Sequence, residues 1–390
     1  MKGHIRKRGS KWAIIIDIGP NPETGKRRQK WFSGYKTKKE AQADMAKRIV
    51  EIEEGSYIEP TKMRVREFFL QYLEARKINL RETTYYNYRK HINNHIIPKL
   101  GNIPMQKLKG VDFEKFYSDL SESMKPVTVR SIHQIIRTAL AYALRHEIVK
   151  KNVADVVSPP KGEEKTVNTW SEEHVLCFLD NAKDSRYYVA YLLAITCGMR
   201  KGEILGLQWK DIDFERSTLS VNRSLSHITK EFHEPKTSTG KRLIVLPEIT
   251  LQVLREHLQK IYEEKERYGD GYNNYDLVCP TYNGNPCNFR SLTQLWKKLI
   301  KKSGVPDIRF HDLRHTHATL MLKQGIHPKI VSERLGHKRV GITLDTYSHV
   351  VPGLQEKAVE DFANNLFQKT LMFAKCLQLR ILHKNTSLSV

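Results

Sequence analysis

Hydrophobic positions change their rhythm along this chain, and each change marks an expected boundary. Near the N-terminus apolar residues cluster in short stretches, "KWAIIIDIG" and "KWFSGY", separated by the turn-forming "NPETGKRRQ". Runs of β-branched and aromatic residues bounded by Pro and Gly predict strands. "TKKEAQADMAKRIVEIEEG" then reads as a helix, with Thr37 as N-cap, Glu40 at the capping-box position and Gly55 beyond its end.

From Met63 to Val157 the spacing becomes helical throughout. "TTYYNYRKHINNHIIP" puts Tyr85, Tyr88, Ile92 and Ile96 on one stripe and is expected to stop at Pro98. "VDFEKFYSDL" repeats the habit with Phe113, Phe116, Tyr117 and Leu120. "VTVRSIHQIIRTALAYALRHEIV" turns Ile132, Ile136, Leu140 and Ala143 inward, and sets Arg130, His133 and Arg137 on the opposite face. That basic stripe suits either solvent or a polyanion.

"SPPKGEEKTVNT" (158–169) has the composition of a linker. Beyond it Thr169 and Glu172 form an expected capping box, and helices mix with strands up to about residue 352. "STLSVNRSLS" and "KRLIVLP" read as strands around the turn-rich "HEPKTSTG". Leu354, Ala358, Phe362 and Leu366 recur every four residues and predict an amphipathic helix, whereas "QLRILHKNTSLSV" carries no usable pattern. The expected divisions are therefore 1–60, 64–157, the linker 158–169, 170–352 and a tail, 353–390.

Charge sharpens this outline. The 390 residues carry 66 Lys and Arg against 43 Asp and Glu, a formal net charge of +23. Such a balance concentrates polyanions, so nucleic acid is the first partner to consider and an anionic membrane the second. The membrane fits poorly. The longest apolar stretch, "YYVAYLLAITCGM" (187–199), is well short of the ~20 residues a spanning helix needs. "WAIII" is cut off by Asp17, so no secretory leader is expected. Five cysteines without a CxxC pair suit buried thiols in a reduced cytosol.

Three segments carry candidate chemistry. In "HDLRHTHATLMLKQG" (311–325), Leu313, Ala318, Leu320, Met321 and Leu322 call for a core, while His311, Arg314, His315 and His317 crowd the front. His311 and His315 have a metal-ligand spacing, but no Glu follows His311 and Arg314 lies between them. A guanidinium beside a divalent cation is unfavourable, so no metal is expected; His315 and His317 read as core histidines. Arg and His at a helix N-terminus suit a phosphate instead.

In "ITCGMRKGEILGLQW" (195–209), Gly198 permits a close turn before Arg200, and Glu203 is placed to fix the Arg side chain or a neighbouring helix end. In "RLGHKRVGITLDTYSHV" (334–350), a helix begun at Pro328 packs through Ile330, Val331 and Leu335, ends at Gly336, and is followed by His337 and Tyr347. A tyrosine acts as a nucleophile only where its phenol can lose a proton beside cations and an electrophile is held in line.

Taken in order, "CGMRKGEI", "HDLRHTHAT" and "LGHKRVGITLDTY" resemble the tyrosine recombinases, the integrases of phages and conjugative elements. The resemblance covers most of residues 170–352 and extends upstream. It implies a multidomain fold: a small α+β N-terminal arm-binding domain of a three-stranded sheet and a helix, an all-α core-binding domain, and a mainly α catalytic domain with a small antiparallel sheet.

It also implies roles. Arg200 and Arg314 would clamp the scissile phosphate, His311 would donate a further hydrogen bond or help move the Tyr proton, and His337 would support the same phosphate. Tyr347 would attack, leaving a 3′-phosphotyrosyl link and a free 5′-hydroxyl. Lys236 in "HEPKTSTGKR" holds the family's general-acid place, matching Lys–Thr–x–x–Gly/Ala–x–Arg, with Lys241 as competitor. Arg6, Lys7, Arg8, Lys26, Arg27 and Arg28 of the N-terminal sheet, with Arg130 and Arg137, are the candidate DNA contacts. The implied function is a site-specific integrase that cuts and rejoins DNA without metal, cofactor or ATP. It would work as a tetramer on DNA, with a directionality factor, in the cytoplasm at the nucleoid. A non-catalytic DNA-binding regulator and a type IB topoisomerase are the alternatives.

Overall fold

The computed structural model describes residues 3–20, 24–54, 57–58, 61–162, 168–235 and 240–347, with some helical residues between 359 and 367. The chain forms two compact units, residues 1–164 and 165–390.

In the first unit, β1 (Gly3–Arg8), β2 (Lys11–Pro20) and β3 (Arg27–Tyr35) form an antiparallel sheet in that order, with Ile5 opposite Ile14 and Ile14 opposite Phe32. Helix α1 (Lys38–Glu53) begins as expected: the Thr37 hydroxyl accepts from the Glu40 amide at 3.1 Å, and the Glu40 carboxylate accepts from the Lys36 amide at 2.9 Å. It covers Ile14 and Ile16 with Ala41, Met45, Ile49 and Ile52. Ala13 to Ile16 are all buried, which explains the poor alternation of β2. Gly55 lies outside the described residues.

A helical bundle follows: α2 (Val65–Lys77), α3 (Glu82–His91), α4 (Ile97–Leu100), α5 (Gly110–Ser121) and α6 (Pro126–Arg145). Its core takes Phe113, Phe116, Tyr117, Leu120, Ile132, Ile136, Leu140 and Ala143, with Tyr85 and Tyr88 packed at the edge. The expected stop at Pro98 does not occur. A π-turn, Ile92–Ile96, joins α3 to α4, and Pro98 sits in the first turn of α4. The wider turn removes the need for the N–H that proline lacks and eases its ring past the preceding carbonyl. His133 also departs from expectation: it is buried and meets the Tyr117 hydroxyl at 2.9 Å, leaving Arg130 and Arg137 on the exposed face.

The second unit opens with α7 (Glu172–Ala182). Its cap is Ser171, whose hydroxyl accepts from the His174 amide; the expected Thr169–Glu172 box is two residues early. Helix α8 (Tyr188–Cys197) is apolar on every side and lies in the core, as an all-round hydrophobic helix must. The short α9 (Lys201–Leu205) leads to β4 (Ile212–Asp213) and β5 (Thr218–Val221). Then come the pair β6 (Ser224–Leu225) and β7 (Phe232–His233), and β8 (Arg242–Val245), which closes a sheet of order β4-β5-β8. The remaining helices are α10 (Glu248–Tyr268), α11 (Phe289–Ser303), α12 (Asp312–Lys323), α13 (Pro328–Leu335) and α14 (Val340–Tyr347). Within α13, Val331 and Leu335 are buried but Ile330 is exposed, against the sequence reading. Of the expected tail helix, Leu354 and Ala358 lie outside the described residues, and Phe362 and Leu366 are exposed.

An aromatic cluster, Trp170, Phe178, Tyr191, Trp296 and Phe310, anchors this unit. Both indoles also donate hydrogen bonds, Trp170 to the Pro306 carbonyl at 2.8 Å and Trp296 to the Ile308 carbonyl at 2.9 Å. Trp296 therefore braces the loop that delivers α12. Trp296→Ala is expected to cost about 3–5 kcal/mol of unfolding free energy, read from urea titration; an unchanged midpoint would contradict this packing role.

Candidate active site

Arg314 is the most deeply placed of the candidate cations, and its surroundings organise the site. It is 3% exposed. Its guanidinium donates to the Gly198 carbonyl at 2.7 Å and to the Leu335 carbonyl at 2.5 Å. Those carbonyls end α8 and α13, each capped by a glycine in the left-handed region: Gly198 at φ 62° and Gly336 at φ 67°. Helix C-termini carry partial negative charge, so the guanidinium sits between two favourable dipole ends. Gly198 is also required for space, since a Cβ there would fall 2.6 Å from the His317 ring and 2.7 Å from Leu335.

Arg200 precedes α9, and Glu203 serves it twice. The carboxylate accepts from the Arg200 amide at 2.9 Å and from its guanidinium at 2.7 Å. The same carboxylate is forked by Arg242 of β8, at 3.1 and 2.8 Å. Those neighbours outweigh burial and hold Glu203 at about 2, below its ordinary 4.5. Arg242 completes the motif in which Lys236 was recognised, yet it received no role from sequence; the final Arg of that pattern was the available signal. Lys236 itself lies outside the described residues. Its competitor Lys241 is exposed and pairs with Glu234 at 3.0 Å.

The positive charge here is not fully compensated. Burial, then repulsion from Arg200 and Arg242, pushes Arg314 down to about 9, and Glu203 only partly opposes the shift. Cations packed together with backbone carbonyls in place of carboxylates form a site suited to an anion. The imidazoles are neutral for related reasons. Burial, with His315, Arg314 and Arg200 nearby, lowers His311 to about 4; burial, with Arg314 and Arg200, lowers His337 to about 4. His337 Nδ1 meets the buried Thr343 hydroxyl of α14 at 2.9 Å, which orients the ring.

Tyr347 ends α14 and is 1% exposed. Burial raises its phenol to about 12, with Arg314 opposing and Asp312 reinforcing the rise. Its hydroxyl lies 2.6 Å from His315 Nδ1. The sequence predicts His315 as a core histidine; it is instead half-buried and touches the phenol. His317 fits the core reading: Nδ1 donates to the Ile195 carbonyl at 2.7 Å, and Nε2 receives Arg334 Nε at 3.3 Å. The fold thus brings Arg200, His311, Arg314, His337 and Tyr347 into one electrostatic neighbourhood, from α9, α12 and α14 and the turns beside them.

Comparison with known proteins decides the family. The model of the phage integrase family matches residues 168–352, that of the phage integrase N-terminal SAM-like domain matches 65–121, and that of the Arm DNA-binding domain matches 4–52. A "Tyrosine recombinase XerC-like" protein of Caldanaerobacter subterraneus is 31% identical over 91% of this chain and 96% of its own length. The chain belongs to the phage integrase family and is a tyrosine-type site-specific recombinase.

The ICEBs1 integrase of Bacillus subtilis is 27% identical over 90% of the chain and 96% of its own. Among solved structures, the Tn1549 transposon integrase in complex with a circular intermediate DNA has the same fold, with a TM-score of 0.67 at 20% identity, covering 77% of this chain and 99% of that one. The lambda integrase tetramer bound to a Holliday junction aligns at a TM-score of 0.56 and 17% identity, covering 88% and 94%. The recombinase keeps the expected architecture of a three-stranded N-terminal sheet with a helix, a helical bundle, and a mainly α unit with a small sheet. Among the described residues no helix is long and apolar enough to cross a membrane.

Glu203 gives a pH test. A carboxyl held below its ordinary value contributes stability that is complete above about 4.5 and fades as pH falls towards about 2. Glu203→Gln should therefore be less stable than the parent at pH 7, and the gap in urea midpoint should close between pH 5 and pH 2. A gap that stays constant over that window would contradict the assignment.

Proposed function

We propose that this recombinase integrates, and in reverse excises, a mobile element by cutting and rejoining DNA through a 3′-phosphotyrosyl intermediate. Tyr347 is the nucleophile. Arg200 and Arg314 bind the non-bridging oxygens of the scissile phosphate, and neutral His311 and His337 add hydrogen bonds. The Tyr347 oxygen bonds to phosphorus as the bond from phosphorus to the 5′-oxygen breaks, and Lys236 protonates that oxygen. The observation that carries this reading is the cluster of guanidinium groups, only partly compensated by Glu203, within electrostatic reach of one buried phenol.

The electrostatics support it. The five-coordinate transition state carries more negative charge than the phosphodiester, and fixed cations stabilise it where it develops. Of the site's side chains, His311 and Arg200 reach solvent while Arg314 and Tyr347 do not, so an entering phosphate meets the former pair first. Each transesterification exchanges one phosphoester for another, and strand exchange needs no ATP.

Duplex DNA is the partner in this reading, bound at core and arm sites, with further copies of the chain assembling into a tetramer on it. A small directionality factor and a location at the nucleoid in the cytoplasm belong to the same proposal. We assign arm binding to residues 1–60, core binding to 64–157, the linker to 158–169 and catalysis to 170–352. In the tail, 353–390, the amphipathic helix expected from Leu354 onward would dock on a neighbouring protomer. Arg6, Lys7, Arg8, Lys26, Arg28 and Arg130 are exposed and suited to phosphate contacts. Arg27 and Arg137 are exposed too but already pair with Asp17 and Asp155, so they would have to exchange partners on DNA. The match of an arm-binding model at 4–52 favours a recombinase over a topoisomerase, because relaxation requires no second class of DNA site.

On nicked suicide duplexes carrying the ends of the resident mobile element, the wild-type chain should form covalent adducts in EDTA. Tyr347→Phe should form none while retaining DNA affinity. Adducts that survive Tyr347→Phe would remove Tyr347 from this role. Arg200→Ala should slow adduct formation roughly 10²–10³-fold, and an unchanged rate would remove Arg200 from the phosphate clamp. Affinity should fall linearly with salt on logarithmic axes.

A further inference from the structure

From the hydrogen bond between His315 Nδ1 and the Tyr347 hydroxyl, we infer that His315 is the general base that takes the phenol proton during cleavage and returns it during religation. The assignment rests on the proposed role of Tyr347 and goes beyond it, because that reading names no acceptor for the phenol proton.

Geometry separates the two imidazoles. His315 is in direct contact with the phenol, at 2.6 Å, within the reach a base requires. His311 instead meets His315, its ring edge-on to that of His315 at 5.3 Å between centroids. His311, which caps α12, and His315 within it face the same way because they are four apart, and α14 brings Tyr347 to the His315 ring at 5.6 Å between centroids. His311, closer to solvent, is better placed for the incoming phosphate.

Protonation states agree with this division of labour. Burial lowers the His315 imidazole, Asp312 opposes the shift, and Arg314 and Arg309 reinforce it. The ring therefore starts neutral, with Nδ1 free to accept, while the Tyr347 phenol starts protonated. As the phenol oxygen bonds to phosphorus, its proton passes to Nδ1 and the ring becomes an imidazolium. The electron pair of the broken bond goes to the 5′-oxygen, which takes its proton from the acid on the other side. A phosphate between Arg200, Arg314 and the new imidazolium compensates the charge just formed. In religation the imidazolium returns the proton to the departing phenolate.

The contact could instead serve only to hold the Tyr347 ring, and chemistry distinguishes the two. Asn can place an amide oxygen close to where Nδ1 lies, so His315→Asn keeps a hydrogen-bond acceptor but removes a base. With full-length protein on the nicked duplexes, His315→Asn and His315→Ala should both slow single-turnover adduct formation by roughly 10²–10⁴-fold. A second substrate checks that the site still assembles: a duplex with a 3′-p-nitrophenyl phosphate opposite a free 5′-hydroxyl, whose leaving group needs no proton. In a Tyr347→Phe background, adding His315→Asn should change release of p-nitrophenol less than threefold.

Adduct formation by His315→Asn at the wild-type rate would overturn the base and leave a purely positioning contact. A parallel collapse of p-nitrophenol release would overturn it too, as a defect of assembly. Loss of adducts in the wild-type chain itself would sink the proposed function and this assignment together.

Discussion

A buried guanidinium held by two backbone carbonyls is the constraint from which the rest of the site follows. Arg314 needs acceptors, and the carbonyls of Gly198 and Leu335 supply them from the ends of α8 and α13. Both helices must therefore end in the pocket, which both do through left-handed glycines. Arg200 follows directly from the first of these ends and His337 from the second. One side chain thus fixes the separation of the two loops that carry the neighbouring site residues.

Charge is rationed in the same place. Glu203 is shared between Arg200 and Arg242, and Arg334 donates to the carbonyls of Val245 and Thr196 and to His317. A carboxylate for every arginine would give a stable, electrically closed core with nothing left for substrate. Replacing carboxylates by carbonyls leaves positive potential at the pocket, and the cost is visible in the lowered Arg314. Neutral imidazoles complete the arrangement, offering hydrogen bonds without adding to the repulsion.

Much of this architecture is legible in the sequence. Runs of β-branched and aromatic residues between turn signals located two strands of the N-terminal sheet, capping residues located α1, and helical spacing located α5 and α6, each of which buries one apolar stripe. Pro98 misled because a π-turn, a tertiary accommodation, leaves no mark in periodicity. The Thr169 cap misled because Ser171 offers the same chemistry two residues later. In the site, ordered motifs nominated residues that the fold gathers, and Glu203 was read correctly as a fixer of Arg200. His315 escaped because a histidine among core residues looks the same whether it meets a carbonyl, as His317 does, or a phenol. That choice depends on where α14 docks, and α14 lies more than twenty residues away.

Shape, as well as charge, makes Arg314 the pivot of the site. Lysine at this position keeps the charge and loses the fork that spans two helix ends. The decisive measurement is the single-turnover rate of covalent adduct formation by Arg314→Lys, set against wild type on the same nicked duplex. The rate should fall by roughly 10²-fold or more, with DNA affinity preserved. A rate within a fewfold of wild type would contradict it.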